Sequence, residues 1–290
     1  MLSIFKSNSP PQFSSSQPLS IFQSPLSLYF QVMSSNPTIV FVPGAWHGPE
    51  TWDALTAVLE EHQLKCVSVA LPTTSGNPES TFSEDVNAVR DAIVAETTQG
   101  RDVVVVVHSF GGAVGSSALK GLTKPKGAEP PSEGDASGHV IGFFMIATGF
   151  IVSGLTFMQM LRGTPPPSWK ENTETGFADI VIDPREMFYH DLPEEEGKLW
   201  VSRLRKQSMK AFTTDAEYSY AGWAEVPVWY LATKQDYTHP YEVQKMFADD
   251  ARAKGSDVTF REIETSHSPM LSRPTETAEI IMEAVAAFKA

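Results

Sequence analysis

One cysteine, Cys66, stands among 290 residues, so no intrachain disulfide can form. It lies in the strand-like run Cys66-Val67-Ser68-Val69-Ala70, where a small buried hydrophobe is expected rather than a catalytic thiol. No Cys/His spacing matches a zinc site, so no metal is expected. No apolar run reaches the length of a membrane span. Cations are few: 22 Lys and Arg face 35 Asp and Glu, for a formal charge of -13. A field of that sign repels phosphate backbones and anionic lipid heads, so neither nucleic acid nor a membrane surface is an expected partner. The chain is long enough to bury a core without disulfide or metal support.

Residues 1–35 are short of almost everything that folds. They are rich in Ser, Pro and Gln, and Lys6 is their one charged side chain. A disordered leader is expected. The apolar stretch Leu19–Met33 is broken by Gln23, Pro25 and Gln31, unlike a signal-peptide core, and the segment has no Arg, unlike a transit peptide. A cytoplasmic location is expected, with organellar targeting as the minor alternative and Met33 as an alternative start.

From Thr38 onward, apolar runs of strand length alternate with helical patterns. Strands are expected at Thr38–Val42, Cys66–Ala70, Asp102–Val107, Val140–Ile146, Val228–Ala232 and Val258–Ile263. Helices are expected at Glu50–Glu61, Asp85–Thr97 and Thr275–Phe288. This alternation predicts an α/β fold with a mostly parallel sheet and helices on both faces. Leu122–Gly138 reads as a surface loop. Residues 152–225 hold no parallel strand, a Pro165-Pro166-Pro167 turn and a helix near Pro193–Lys206. A long insertion in a compact domain is a candidate lid, here mainly helical. The expected organisation is therefore a core of 36–151 and 226–290 interrupted by a lid at 152–225.

The chemistry concentrates at three strand ends. Val105-Val106-Val107-His108-Ser109-Phe110-Gly111-Gly112 runs a buried strand into a serine flanked by small residues, and Ala113–Leu119 continues as a helix. That is the setting of a nucleophile elbow, with Val107 where G-x-S-x-G places glycine. A serine hydroxyl needs a base, and the base an orienting acid. Asp236 follows Val228–Ala232 and His267 follows Val258–Ile263, in the order serine, acid, histidine and on one sheet edge. Asp183, Asp191 and Asp215 follow no sheet strand. His108 should point away from the hydroxyl, His239 should be exposed, and His62, His139 and His190 lack supporting context. The loop Pro43-Gly44-Ala45-Trp46-His47-Gly48 offers the amide of Ala45, beside that of Phe110, as oxyanion donors. Gly44, Trp46 and His47 are candidate substrate-binding residues.

Phe41-Val42-Pro43-Gly44-Ala45-Trp46-His47-Gly48, Val107-His108-Ser109-Phe110-Gly111-Gly112 and His267-Ser268-Pro269-Met270-Leu271 together resemble the α/β-hydrolase superfamily. The branch is that of plant methylesterases and hydroxynitrile lyases with their microbial esterase relatives. Phe188-Tyr189-His190-Asp191-Leu192-Pro193-Glu194-Glu195-Glu196 looks like its fungal and bacterial members. The resemblance covers residues 37–290 and implies a Ser109–His267–Asp236 triad, an oxyanion hole at Ala45 and Phe110, and no cofactor. The lyases of the branch carry Thr in the oxyanion loop and Lys after the catalytic histidine. This chain has Gly44 and Ser268 there. Ester or lactone hydrolysis is therefore the expected activity. A non-hydrolytic enzyme (lyase, cyclase or cofactor-free oxygenase) and a non-catalytic binding protein are the alternatives. The expected partner is a small molecule, apolar or aromatic, given Phe157, Trp169, Phe177 and Trp223 in the insertion. Oligomeric state is not legible.

Overall fold

Six parallel strands form the centre: β1 (Thr38–Val42), β2 (Cys66–Ser68), β3 (Val103–His108), β4 (Val140–Ile146), β8 (Val228–Thr233) and β9 (Val258–Ile263), in the order β2-β1-β3-β4-β8-β9. The computed structural model describes residues 36–124 and 137–290; the leader and most of the Leu122–Gly138 loop lie outside the described residues. Every residue of β1, β3 and β8 is buried. Side chains alternate between the two faces of a strand, so both faces of the central sheet are covered. The β-branched run Val103–Val107 suits the middle of such a sheet.

The covering helices follow from apolar stripes. Phe82–Thr97 buries Val86, Val89 and Ile93 and packs on Gly111–Ala118. It begins one turn earlier than the periodicity predicts. The amide of Thr81 donates to the Glu84 carboxylate at 3.0 Å, fixing that start. Pro274–Phe288 buries Ile281 and Val285 and packs on Asp53–Glu61. No helix among the described residues is long and apolar enough to cross a membrane.

The chain enters at β1, winds outward to the edge strand β2, then crosses back to β3 and proceeds through β4, β8 and β9. The direction of winding reverses between β1 and β3. The carboxyl ends of those two strands therefore flank a crevice, the favoured ligand position in an open parallel sheet.

The segment between β4 and β8 differs from the helical expectation in one respect. It carries the helices Phe157–Met160, Pro184–Phe188, Glu194–Ser202 and Lys210–Thr213, and also a small antiparallel sheet. Its strands are β5 (Trp169–Asn172), β6 (Phe177–Ile180) and β7 (Gln207–Ser208). Strands of two to four residues are too short to show a period of two. The helix expected to reach Lys206 stops at Ser202. Beyond it the Arg205 amide donates to the Trp46 carbonyl at 2.8 Å, and its guanidinium pairs with Glu50 at 2.8 Å. These tertiary contacts hold Arg205 outside the helix, while Arg203 caps its end.

Candidate active site

Ser109 sits in the first residue after β3, with φ at 50°. A non-glycine residue in the left-handed region costs roughly 1–3 kcal/mol and persists only where its surroundings hold it. Here the Ser109 amide donates to the Ile146 carbonyl at 3.1 Å. Its carbonyl accepts from the Gly112 amide at 2.9 Å and from Thr148 Oγ1 at 2.6 Å. The turn also needs backbones to pass closely. A Cβ on Gly111 would lie 2.4 Å from the Pro43 carbonyl oxygen, and one on Gly112 would lie 2.2 Å from Thr148 Oγ1. Both glycines expected at this turn are required by contact.

Asp236 and His267 meet as a buried pair. His267 Nδ1–H donates to Asp236 Oδ2 across 2.7 Å, and the imidazole is fully buried. The same Oδ2 accepts from Thr233 Oγ1 at 2.7 Å. Oδ1 accepts from the amides of Thr238 at 2.7 Å and His239 at 2.8 Å. Burial alone would push the Asp236 carboxyl up. The charge and hydrogen bond of His267, with the His239 contacts, outweigh it and hold the group below the usual carboxylate range. With Nδ1 turned to the acid, the other ring nitrogen of His267 is Nε2. It is buried and has no hydrogen-bond partner among the described residues. Ser109 Oγ therefore does not close onto it in this conformation.

His108 ties the serine and histidine segments together. Its Nε2 donates to the His267 carbonyl at 2.8 Å, and the two rings lie 4.5 Å apart. Desolvation drives His108 well below the ordinary histidine range, so the ring is neutral. The expectation that it points away from the hydroxyl and packs gains this second duty.

The loop after β1 completes the crevice. Trp46 takes a left-handed φ of 62°. Its amide donates to Gln207 Oε1 at 3.2 Å, and its indole N–H to the Ala178 carbonyl at 2.8 Å. Neither the Ala45 nor the Phe110 amide donates to a described residue. Gly44 stands back from the cavity; a Cβ there would lie 3.1 Å from both Ser109 Cβ and His108 Nδ1. Its lack of a side chain permits that close approach. Trp46 and His47 do line the cavity. His47 Nδ1–H donates to the Ala45 carbonyl at 2.6 Å, and its Nε2 accepts from the Tyr189 hydroxyl at 2.6 Å. Burial pushes His47 down to about 4, so it serves as a neutral strut.

Two cavity lobes of about 240 and 160 Å³ open over Ser109. Both are walled by Phe110, Phe157, Leu161, His239 and Phe247. No Asp, Glu, Lys or Arg lines either lobe. Of the four insertion aromatics expected to suit the substrate, Phe157 and Trp169 reach the cavity. Trp223 instead donates its indole N–H to the Ile151 carbonyl, and Phe177 lies beneath the Lys206 ammonium.

Three residues escaped sequence reasoning. His239 is not exposed: it is half-buried, lines both lobes and stacks on His267 with ring centres 5.6 Å apart. Asp191, set aside as an insertion acid, accepts from the Ser266 amide at 2.9 Å and from the Ser266 hydroxyl, anchoring the histidine loop. Thr148 holds the elbow from the end of β4. The histidine at three past Asp236 was the one available signal. The other two contacts span the fold and leave no local trace.

Asp236, His239 and His267 each offer a ligand atom within 4.8 Å of the others, the arrangement nearest to a metal centre among the described residues. Both carboxylate oxygens of Asp236 are already taken by hydrogen-bond donors, which suits a histidine-orienting acid better than a metal ligand.

The model of the alpha/beta hydrolase family matches residues 39–280. The alpha/beta hydrolase nvfD of Aspergillus novofumigatus is 30% identical over 251 residues, 86% of this chain and 96% of that protein. A pyrethroid hydrolase of Sphingobium faniae superposes with a TM-score of 0.65 at 18% identity, covering 87% of this chain and 98% of its own. The Arabidopsis methylesterase MES16 does so at 0.65 and 21%, covering 86% and 99%. At these identities the two solved structures speak to the fold.

Proposed function

The chain belongs to the alpha/beta hydrolase family, and from that premise we propose that it is a serine hydrolase cleaving a carboxylic ester or lactone through Ser109, His267 and Asp236. The observation that carries the reading is the 2.7 Å Asp236–His267 pair with His267 Nε2 left bare, on the sheet edge where Ser109 is held at a positive φ. A buried histidine held by a carboxylate beside a strand-end serine is the arrangement that general-base activation of a hydroxyl needs.

In this mechanism His267 Nε2 takes the Ser109 proton as Oγ attacks the carbonyl carbon. The oxyanion lies against the amides of Ala45 and Phe110, each donor contributing about 2.7–4 kcal/mol by the measure of a model protease. The tetrahedral intermediate collapses, the C–O bond to the leaving group breaks, and His267 protonates the departing alkoxide. Water, deprotonated by His267, then cleaves the acyl-enzyme and restores Ser109. Asp236 keeps the imidazole tautomer and stabilises the imidazolium. The uncharged, aromatic walls favour a neutral substrate, and the methylesterase and pyrethroid hydrolase names of two structural neighbours support an ester.

Labelling by a fluorophosphonate probe and turnover of short aryl esters, each compared with Ser109→Ala, test the proposal. Loss of both in the variant is expected. Full turnover by Ser109→Ala would remove the serine from the mechanism, and labelling without turnover of any ester would move the chemistry to a non-hydrolytic reaction.

A further inference from the structure

His239 occupies a singular place in the cavity. The wall common to both lobes consists of Ser109, Phe110, Phe157, Leu161, His239 and Phe247, so beside the serine it is the one polar side chain where the lobes meet. Ser168 and Trp169 wall only the larger lobe, away from that junction, and several other polar groups on the walls are already engaged. Thr148 Oγ1 donates to the Ser109 carbonyl, Thr238 Oγ1 donates to the Met187 carbonyl at 3.1 Å, and both ring nitrogens of His47 are bonded. The His239 ring makes no hydrogen bond to a described residue, and its Nδ1 is shielded without one.

The backbone of His239, by contrast, is fully used. Its amide donates to Asp236 Oδ1 at 2.8 Å and its carbonyl accepts from Gln244 Nε2 at 2.6 Å. The His239 hydrogen bond to Asp236 therefore comes from the main chain and is retained by Phe or Gln at this position. The imidazole is held by that main chain and by the stack on His267 at 5.6 Å, with 24° between the ring planes.

We propose that the His239 imidazole is a substrate-positioning group, which hydrogen-bonds a hydroxyl or keto oxygen one or two bonds from the scissile carbonyl. The inference rests on the ester reading and narrows it. The preferred substrate is an uncharged, largely apolar ester or lactone bearing an oxygen beside the carbonyl. Burial pushes His239 down to about 4, so at neutral pH the ring is uncharged, attracts no anion, and with Nδ1 shielded presents one nitrogen, Nε2, as donor or acceptor by tautomer. In an otherwise apolar junction one such group decides orientation, because an unmatched imidazole there would be left desolvated.

The test uses a matched pair differing only in an α-hydroxyl. Binding of mandelamide and phenylacetamide to Ser109→Ala is measured by calorimetry, with no turnover required. The hydroxylated amide should bind about five- to tenfold tighter, the size of one hydrogen bond. In Ser109→Ala/His239→Phe the preference should close to about twofold or less, and Ser109→Ala/His239→Gln should keep part of it. In parallel, the kcat/KM ratio of methyl mandelate to methyl phenylacetate should fall in His239→Phe, chiefly through KM. Equal or undetectable binding of both amides by Ser109→Ala overturns the proposal. So does a preference that survives His239→Phe, or an equal loss of kcat on both esters. If the amide preference holds while neither ester turns over, His239 keeps its role and the ester reading falls.

Discussion

Val107 and Gly115 are partners in one packing compromise. Val107 stands two residues before the serine, where G-x-S-x-G carries glycine, and a Cβ on Gly115 would lie 2.4 Å from Val107 Cγ1. The bulk gained on the strand is given up on the helix that follows it. Gly115→Ala should therefore destabilise the protein. The clash costs about 1–3 kcal/mol, against at most about 1 kcal/mol of helix propensity gained. Adding Val107→Ala should recover most of the loss. Urea denaturation of the two single variants and the double variant measures the coupling; strict additivity would refute it.

Backbone strain at Ser109 leads to a second expectation. Glycine adopts a φ of 50° freely. Relief of about 1–3 kcal/mol should exceed the extra unfolded-state entropy of about 0.5–1 kcal/mol. Ser109→Gly should thus raise the urea midpoint above wild type while abolishing fluorophosphonate labelling. A lowered midpoint would show that the turn is unstrained.

Asp236→Asn should remove activity while leaving KM nearly unchanged. An amide cannot accept from His267 Nδ1–H, the Thr233 hydroxyl and two amides at once. The tautomer it favours leaves no lone pair at Nε2 for the serine proton. A fall in kcat of about 10⁴ is the precedent from a model triad. Steady-state kinetics on an aryl ester measures it, and a change confined to KM would contradict it.

A pH-dependent element is tied to the loop after β1. Asp85 accepts from the Thr73 amide at 3.0 Å and Thr73 Oγ1 at 2.6 Å, Gln207 Nε2 donates to that Oγ1, and Gln207 Oε1 holds the Trp46 amide. Burial pushes Asp85 up to about 7, against the lowering effect of the Thr73 bonds. Between the ordinary carboxylate value of 3.8 and about 7 the folded state then holds more protons than the unfolded one. Stability from this group falls as pH rises through that window. Asp85→Asn should flatten the decline relative to wild type in melts from pH 4 to 8. A steeper decline in the variant would reverse the sign assigned.

The amino-acid sequence by itself determined the parallel sheet and the order of its chemistry. Runs such as Val103–Val107 must be covered on both faces wherever they lie, and Ser109, Asp236 and His267 each follow such a strand. It also marked the turn glycines, because Gly111 and Gly112 answer a local crossing. Tertiary structure alone decided what surrounds them. The antiparallel sheet of the insertion is built from strands too short to carry a period. Asp191 reaches Ser266 across 75 residues, and Gln207 reaches Trp46 across 161. Val107, a departure when read along the chain, finds its answer in Gly115 only once the helix folds back on β3. His239 looked like a loop histidine because exposure is not a property of a tripeptide. The aromatic walls of Phe110, Phe157 and Phe247, drawn from three separate segments, made it the polar point of an apolar cavity.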